Sequence, residues 1–209
     1  MLTFSQILAF LFTAVILTIT PGPDNLMVLG ISLSKGKRQG IIFGLGCGLG
    51  CLSHTLMAVV GISVLIVSSP KAFAMMKFIG GAYLFYLGAQ TFLNQKYITT
   101  NNQQSLQDTS ISITFVRGLL ASSLNPKVAL FFISFLPQFV IADQGNVTLQ
   151  LVVLSCIFIV QAIFIFSLIG YFSGSIGNIL RCNPRMNLWL DRISGGILVL
   201  LGIRIWVTS

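Results

Sequence analysis

Long runs without a charged side chain limit what this chain can fold into more than any other feature. No Asp, Glu, Lys or Arg occurs in residues 1–23, 39–70, 78–95, 128–142 or 144–180. A helix needs roughly 20 apolar residues to cross the hydrocarbon core of a bilayer, and these runs are long enough to form all or part of a span. Charged residues make up 8% of the chain, against about 25% in soluble domains. The sequence therefore predicts an integral membrane protein.

Loop signals and charges divide the chain into six apolar segments. They lie near residues 5–34, 40–68, 73–94, 114–137, 147–174 and 188–207. Only helices and closed barrels satisfy their backbone groups in lipid, and these segments lack the alternation of barrel strands. We therefore expect an all-α membrane protein of about six transmembrane helices. A five-span arrangement with one re-entrant segment remains an alternative.

The chain also resembles a tandem of two halves within a single transmembrane domain, residues 1–209. A polar linker at about 95–112 separates a first half of about 1–94 from a second half of about 113–209. Each half opens with a proline-broken segment and ends with two glycines seven residues apart. An odd number of helices per half turns the second half over in the membrane, so we predict two inverted three-helix repeats, as in many secondary transporters.

The formal charge of +8 does not indicate a nucleic-acid partner, because the twelve basic residues are spread through short loops. Assigning successive loops to alternate sides places most of them on one side. That side holds Lys35, Lys37, Arg38, Lys96, Arg117, Arg181, Arg185 and Arg192, and the other holds Lys71, Lys77 and Arg204. The side richer in Lys and Arg faces the cytoplasm, which predicts that both termini lie outside.

Two proline motifs predict breaks inside the first helix of each half. Thr20-Pro21 should end one half-helix and Pro23 should begin the next, because proline lacks an amide donor and suits the first helical turn. Asn125 is likewise an N-cap before Pro126. At a rise of 1.5 Å per residue, Pro23 lies about 18 Å from Lys35 and Pro126 about 14 Å from Arg117, so both breaks fall near the bilayer centre. Exposed backbone at this depth is tolerated only inside protein or against water, so we expect the breaks to line a site.

The breaks place opposite charges, Asp24 and Lys127, at equivalent positions of the two halves. Charges inside a membrane are expensive and mark functional sites by default. Asp24 is suited to receive an amino group, while Lys127 and the amides of the half-helices could hold a carboxylate. The alternative is that the two side chains pair with each other or extend to water.

His54 and the cysteines leave further alternatives open. His54, the only histidine, is a candidate for proton coupling together with Asp24, but it could equally bond a neighbouring carbonyl. Cys47, Cys51, Cys156 and Cys182 lack redox or metal spacing and are expected to pack. Glycines at 40, 44, 46, 48 and 50 should let helices approach closely. We expect neither a metal nor a cofactor.

These residues resemble the LysE/RhtB family of amino-acid exporters. The resemblance rests on 20–28, the glycine-rich second helix, 81–88 and 125–139, and covers almost the whole chain. It implies a bacterial cytoplasmic-membrane exporter of amino acids or related metabolites, driven by the proton gradient, and not an enzyme. The family motif falls here on Pro21, Gly22, Pro23, Asp24, Asn25, Asn125, Pro126 and Lys127, which we predict to bind the substrate.

The resemblance thus implies a proton antiporter in the inner membrane. The scarcity of acidic residues argues against a dicationic substrate, so neutral amino acids such as leucine, threonine or homoserine are the first candidates. Its other partners would be protons and the lipid bilayer, and exposed glycine faces permit a homodimer. Three rival functions are a thiol-disulfide carrier, a divalent-metal exporter and a membrane scaffold. A thiol-disulfide carrier would require reactive cysteines, and a metal exporter would require a cluster of metal ligands. A scaffold would use Asp24 and Lys127 as a structural ion pair.

Overall fold

The computed structural model describes residues 2–62, 69–93, 110–141, 145–175, 177 and 184–207. Within these ranges the protein is all-helical. Its longer α-helices are α1 (Phe4–Ile19), α2 (Pro23–Lys35), α3 (Lys37–Met57), α4 (Pro70–Leu93), α5 (Ile111–Ser123), α6 (Pro126–Ser134), α7 (Val147–Tyr171) and α8 (Pro184–Val207). A π-helical turn, Ala58–Ile62, extends α3, and a 3₁₀ turn, Leu136–Phe139, follows α6.

The six apolar segments are confirmed as helical wherever they are described. Each segment matches one helix or one bent pair of helices to within a few residues. Most of the predicted linker at about 95–112 lies outside the described residues, as do Lys96, Arg181 and Cys182. α5 already begins at Ile111, inside the predicted linker.

Two of the described helices are long and apolar enough to cross a membrane. They are α3 with its π-helical extension, over Lys37–Gly61, and α7, over Val147–Tyr171. α1 with α2, bent by 55°, and the second pair, Ile111–Ser123 with Pro126–Phe139, bent by 50°, would each add one span. Length and composition therefore give two to four spans for the described residues. Six spans and an inverted repeat stay predictions.

Proline causes both bends where the sequence predicts them. α1 ends at Ile19, just before Thr20-Pro21, and α2 begins at Pro23 with Gly22 as its N-cap. α6 begins at Pro126 with Asn125 as its N-cap. The missing amide and fixed φ of proline suit the first helical turn but not a helix interior.

Glycines let α3 approach two neighbours, α5 on one face and α7 on the other. A Cβ added to Gly44 would lie 2.8 Å from the Cβ of Phe166 on α7. A Cβ added to Gly50 would lie 2.9 Å from the Cβ of Ser122 on α5. Both distances are below van der Waals contact, so side chains there would push the helices apart. The predicted close approach is confirmed.

The two spaced glycine pairs meet each other between α4 and α8. A Cβ on Gly88 would lie 2.6 Å from the carbonyl oxygen of Gly195, and one on Gly202 would lie 2.6 Å from that of Gly81. The first glycine of each pair thus faces the second glycine of the other. The two helices therefore cross antiparallel at these glycines, one of the contacts that an inverted repeat would produce.

Aromatic side chains fill the interior beside the breaks. Phe131 lies at the centre, with the rings of Phe135 and Phe158 at centroid distances of 5.2 and 5.1 Å. Large apolar side chains also cover the outside, among them Phe12, Val160 and Phe164. An apolar exterior of this kind suits a hydrocarbon solvent.

Candidate functional site

The end of α1 has several carbonyl groups that its own helix does not bind. Asn25, in the first turn of α2, reaches back over the break to them. Its Nδ2 donates toward the carbonyl oxygens of Thr18 at 2.8 Å, Thr20 at 3.1 Å and Ile19 at 3.2 Å. Because a helix leaves its last carbonyls unpaired, this amide stabilises the first break.

Lys127, from the other half of the chain, also donates hydrogen bonds to carbonyl groups at the end of α1. Its Nζ donates to the carbonyl oxygens of Thr20 at 2.7 Å and Leu17 at 2.9 Å. A cation at the C-terminal end of a helix is favoured by the helix dipole. The ammonium group of Lys127 therefore binds the two breaks together through carbonyl oxygens.

Asp24 is 3% exposed and lies at the start of α2. Neither of its carboxylate oxygens has a hydrogen-bond partner among the described residues. The side chains of Asn125 and Ser122 lie close to hydrogen-bonding range of the carboxylate. Lys127 and His54 act on it electrostatically. Asp24 and Lys127 therefore do not form a hydrogen-bonded pair in this structure. Such a pair was the alternative that the sequence left open.

The second break is satisfied by side chains. Asn125 Oδ1 accepts from the backbone amide of Lys127 at 3.0 Å, as expected of an N-cap. His54 on α3 lies with Nε2 2.9 Å from the carbonyl oxygen of Ser122, at the end of α5. Since a carbonyl only accepts, Nε2 must donate. His54 Nδ1 has no partner among the described residues.

A second bond across the halves mirrors that of His54. Gln161 on α7 donates from Nε2 to Thr18 Oγ1 at 2.9 Å, and Thr18 Oγ1 donates to the carbonyl oxygen of Ala14 at 2.8 Å. α3 therefore supports the end of α5, and α7 supports the end of α1. Each break is braced by a helix of the opposite half.

A small cavity of about 20 Å³ lies where these groups meet. Its lining consists of Leu17, Thr18, Gly22, Asp24, Asn25, Cys51, Asn125, Lys127, Val128, Phe158, Ala162 and Phe166. This volume matches about one water molecule. The cavity is therefore too small for an amino acid in this structure, and the groups around it must move before one fits.

The structure brings together five of the eight predicted site residues. Gly22, Asp24, Asn25, Asn125 and Lys127 line the cavity. The three prolines form the breaks but do not line it: Pro21, Pro23 and Pro126. His54 also stands outside the lining. It binds Ser122 and lies near enough to Asp24 to act on it electrostatically.

Sequence reasoning missed the apolar part of the lining. Phe158, Ala162 and Phe166 occupy one face of α7 at four-residue spacing. Such a stripe in an apolar helix has no distinguishing sequence signal, because any packed helix shows it. Its burial beside Asp24 is the observation that identifies it.

Two of the rival functions would depend on metal ligands or on reactive thiols. Across the described ranges no group of three or more His, Cys, Asp or Glu side chains is placed to hold a metal ion. Cys47 and Cys51 are buried on α3, whereas Cys156 is exposed on α7. Among the described cysteines, the thiols of the first half are thus buried, whereas that of the second half is exposed.

Comparisons with known proteins identify relatives over nearly the whole chain. The profile of the LysE type translocator family matches residues 15–209. The uncharacterized membrane protein YrhP of Bacillus subtilis (strain 168) is 30% identical over 206 residues, covering 95% of this chain and 97% of that protein. An uncharacterized membrane protein of Vibrio cholerae is 28% identical over 200 residues, covering 94% of each chain.

A relative whose name states a function matches a shorter part of the chain. The leucine efflux protein of Salmonella choleraesuis is 32% identical over 134 residues, covering 63% of this chain and 61% of that protein. No solved structure matches the chain.

Proposed function

Because the chain belongs to the LysE type translocator family, we propose that it is a secondary transporter that exports a small neutral amino acid by proton antiport. It would act in the bacterial cytoplasmic membrane as a multi-pass protein with both termini outside. Relatives named leucine efflux protein make leucine the first candidate substrate. Related small metabolites are the next.

The observation that carries the proposal is the buried carboxylate of Asp24. It lines the cavity, and none of the described residues donates a hydrogen bond to it. Buried polar groups are normally paired, and an unpaired one marks a site where function takes precedence over stability. A substrate ammonium group would supply the missing donors and the opposite charge.

The substrate carboxylate finds its partners at the start of α2. Gly22 provides no side-chain cap there, so the first amides of the helix are available to an anion. Lys127 Nζ lies close by, since a Cβ on Gly22 would be 3.3 Å from it. Both charges of a zwitterion therefore meet complementary groups within one cavity.

Transport follows from exchange at Asp24. With a proton on the carboxyl group, Asp24 is neutral and the cavity contains no unpaired anion while no substrate is bound. Binding of the substrate ammonium displaces that proton, and release of the substrate lets a proton return. One carboxylate that holds either a proton or a substrate, and never both, couples their movements in opposite directions.

Efflux from preloaded cells tests this proposal. Cells containing labelled leucine, threonine, lysine or glutamate would be compared with and without the protein, and with Asp24→Asn. We expect export of one or more neutral amino acids. Loss of a charged hydrogen-bond partner is worth about 1.5–3 kcal/mol, so Asp24→Asn should slow export about 10- to 100-fold.

The control is the amount of folded protein in the membrane. Asn keeps the size of Asp24, and the carboxylate accepts no bond from the described residues that the amide would lose. Equal protein levels with lost efflux would support the site. Full proton-coupled efflux by Asp24→Asn would reject the mechanism, and no amino-acid efflux by the unmodified protein would reject the function.

A further inference from the structure

One face of α7 supplies three of the apolar side chains that line the cavity. Phe158, Ala162 and Phe166 recur every four residues and are 2%, 1% and 5% exposed. Residues at this spacing lie on the same side of a helix. These side chains therefore face the protein interior, whereas Val160 and Phe164 of the same helix face outward, at 67% and 64% exposure.

The polar groups of the cavity come from other elements. Asp24 and the start of α2 lie at the first break, and Lys127 extends from α6. In an α-amino acid the ammonium and carboxylate groups are attached to the same carbon. When both are held by these groups, the side chain points away from them, toward the apolar part of the lining. The α7 face supplies this part together with Leu17, Cys51 and Val128.

We propose that this face of α7 selects the substrate side chain, and that Ala162 sets the size that is accepted. The inference rests on the proposed function and adds to it a substrate class, amino acids with an aliphatic side chain. Ala162 is the smallest of the three residues and lies between two phenylalanines. We call this position, where the face of α7 has the least side-chain bulk, the notch.

The chemistry of this face explains which side chains it excludes. A charged side chain placed against two phenylalanines and an alanine would lose its hydration without gaining a partner. An aromatic side chain would need the volume that Phe158 and Phe166 already fill. A branched or straight aliphatic chain gains from burial against such a surface.

Changing the size of residue 162 tests the inference. Efflux of labelled alanine, leucine, phenylalanine and lysine would be measured for the unmodified protein, Ala162→Leu and the matched outward-facing variant Val160→Leu. We expect Ala162→Leu to lower the ratio of leucine to alanine efflux about tenfold or more, since a pocket discriminates by roughly this factor per methylene group. Val160→Leu should leave the ratio unchanged.

A second variant guards against a folding defect in the first. Ala162→Gly enlarges the notch and should raise phenylalanine efflux relative to leucine. Efflux ratios that stay at the unmodified value in both Ala162→Leu and Ala162→Gly, while efflux still depends on Asp24, would overturn this inference alone. Absence of any Asp24-dependent efflux in the unmodified protein would overturn the proposed function and the inference with it.

Discussion

At the first helix break the carboxylate of Asp24 accepts no hydrogen bond from the described residues, whereas at the second the side chain of Asn125 caps the start of α6. The two breaks share a proline in the first helical turn and a charged residue immediately after it. They differ in how their polar groups are satisfied. Gly22 begins α2 without a side-chain cap, and Asn125 begins α6 with one.

This difference assigns separate roles to the two breaks. The second break is completed by protein groups, with Asn125 on its amide side and His54 on its carbonyl side. The first break is completed only on its carbonyl side, where Asn25 and Lys127 bind the end of α1. Its amide side and Asp24 keep hydrogen-bonding capacity for a ligand. Under the proposed function, the second break therefore supports the fold and the first break binds the substrate.

The largest expected effect concerns Lys127, which supports the first break from the second. Lys127→Met keeps the length of the side chain but removes two hydrogen bonds from a charged donor, leaving the carbonyl oxygen of Leu17 without a donor and that of Thr20 with Asn25 alone. At about 1.5–3 kcal/mol for each such bond, the free energy of unfolding should fall by roughly 3–6 kcal/mol. Thermal unfolding of the purified protein in detergent measures this loss.

The matched control is Lys71→Met, because Lys71 is exposed at the start of α4. Surface substitutions of this kind change stability by no more than about 0.5 kcal/mol. If Lys127→Met unfolded at the same temperature as Lys71→Met, the ammonium would not be holding the breaks together in the protein.

His54 should show a smaller effect that depends on the replacement. His54→Leu removes the donor to the carbonyl oxygen of Ser122 and should lower the free energy of unfolding by about 1–3 kcal/mol. His54→Gln keeps a donor but cannot carry a proton at neutral pH, and should retain stability, efflux and the pH profile of efflux. A pH profile lost in His54→Gln with stability kept would instead make His54 a proton carrier.

The smallest effect compares two N-caps, Asn125 and Asn146. Each side chain accepts a hydrogen bond of 3.0 Å from a backbone amide, Asn125 in α6 and Asn146 in α7. Asn125→Ala and Asn146→Ala should each lower the free energy of unfolding by about 1 kcal/mol. Only Asn125→Ala should also slow efflux, because only Asn125 lies beside Asp24. Equal efflux in the two variants would show that the second break has no role beyond stability.

Local signals in the sequence predicted the helices and the position of both breaks. Pro21, Pro23 and Pro126 bend the chain where their missing amides require it, and Asn125 caps α6 as its type and position indicate. The glycines of α3 lie where helices approach closely. These features depend on a few neighbouring residues, and sequence patterns report them directly.

The bonding at the site could not be predicted in the same way. The sequence indicated that Lys127 would bind a carboxylate, yet in the structure it binds the carbonyl oxygens of Leu17 and Thr20, more than one hundred residues away. Thr18 and Ser122 carried no signal at all. Which donors reach the unpaired carbonyls at a helix end depends on the packing of distant helices, which local patterns do not report.

In the proposed mechanism, Asp24 exchanges a proton for the ammonium group of the substrate. The most direct measurement adds a transported amino acid to the purified protein in weakly buffered detergent solution and records the change in pH. If Asp24 exchanges a proton for substrate, we expect the unmodified protein to release protons in proportion to the substrate it binds. Asp24→Asn should release none. Binding without proton release by the unmodified protein, or equal release by Asp24→Asn, would contradict it.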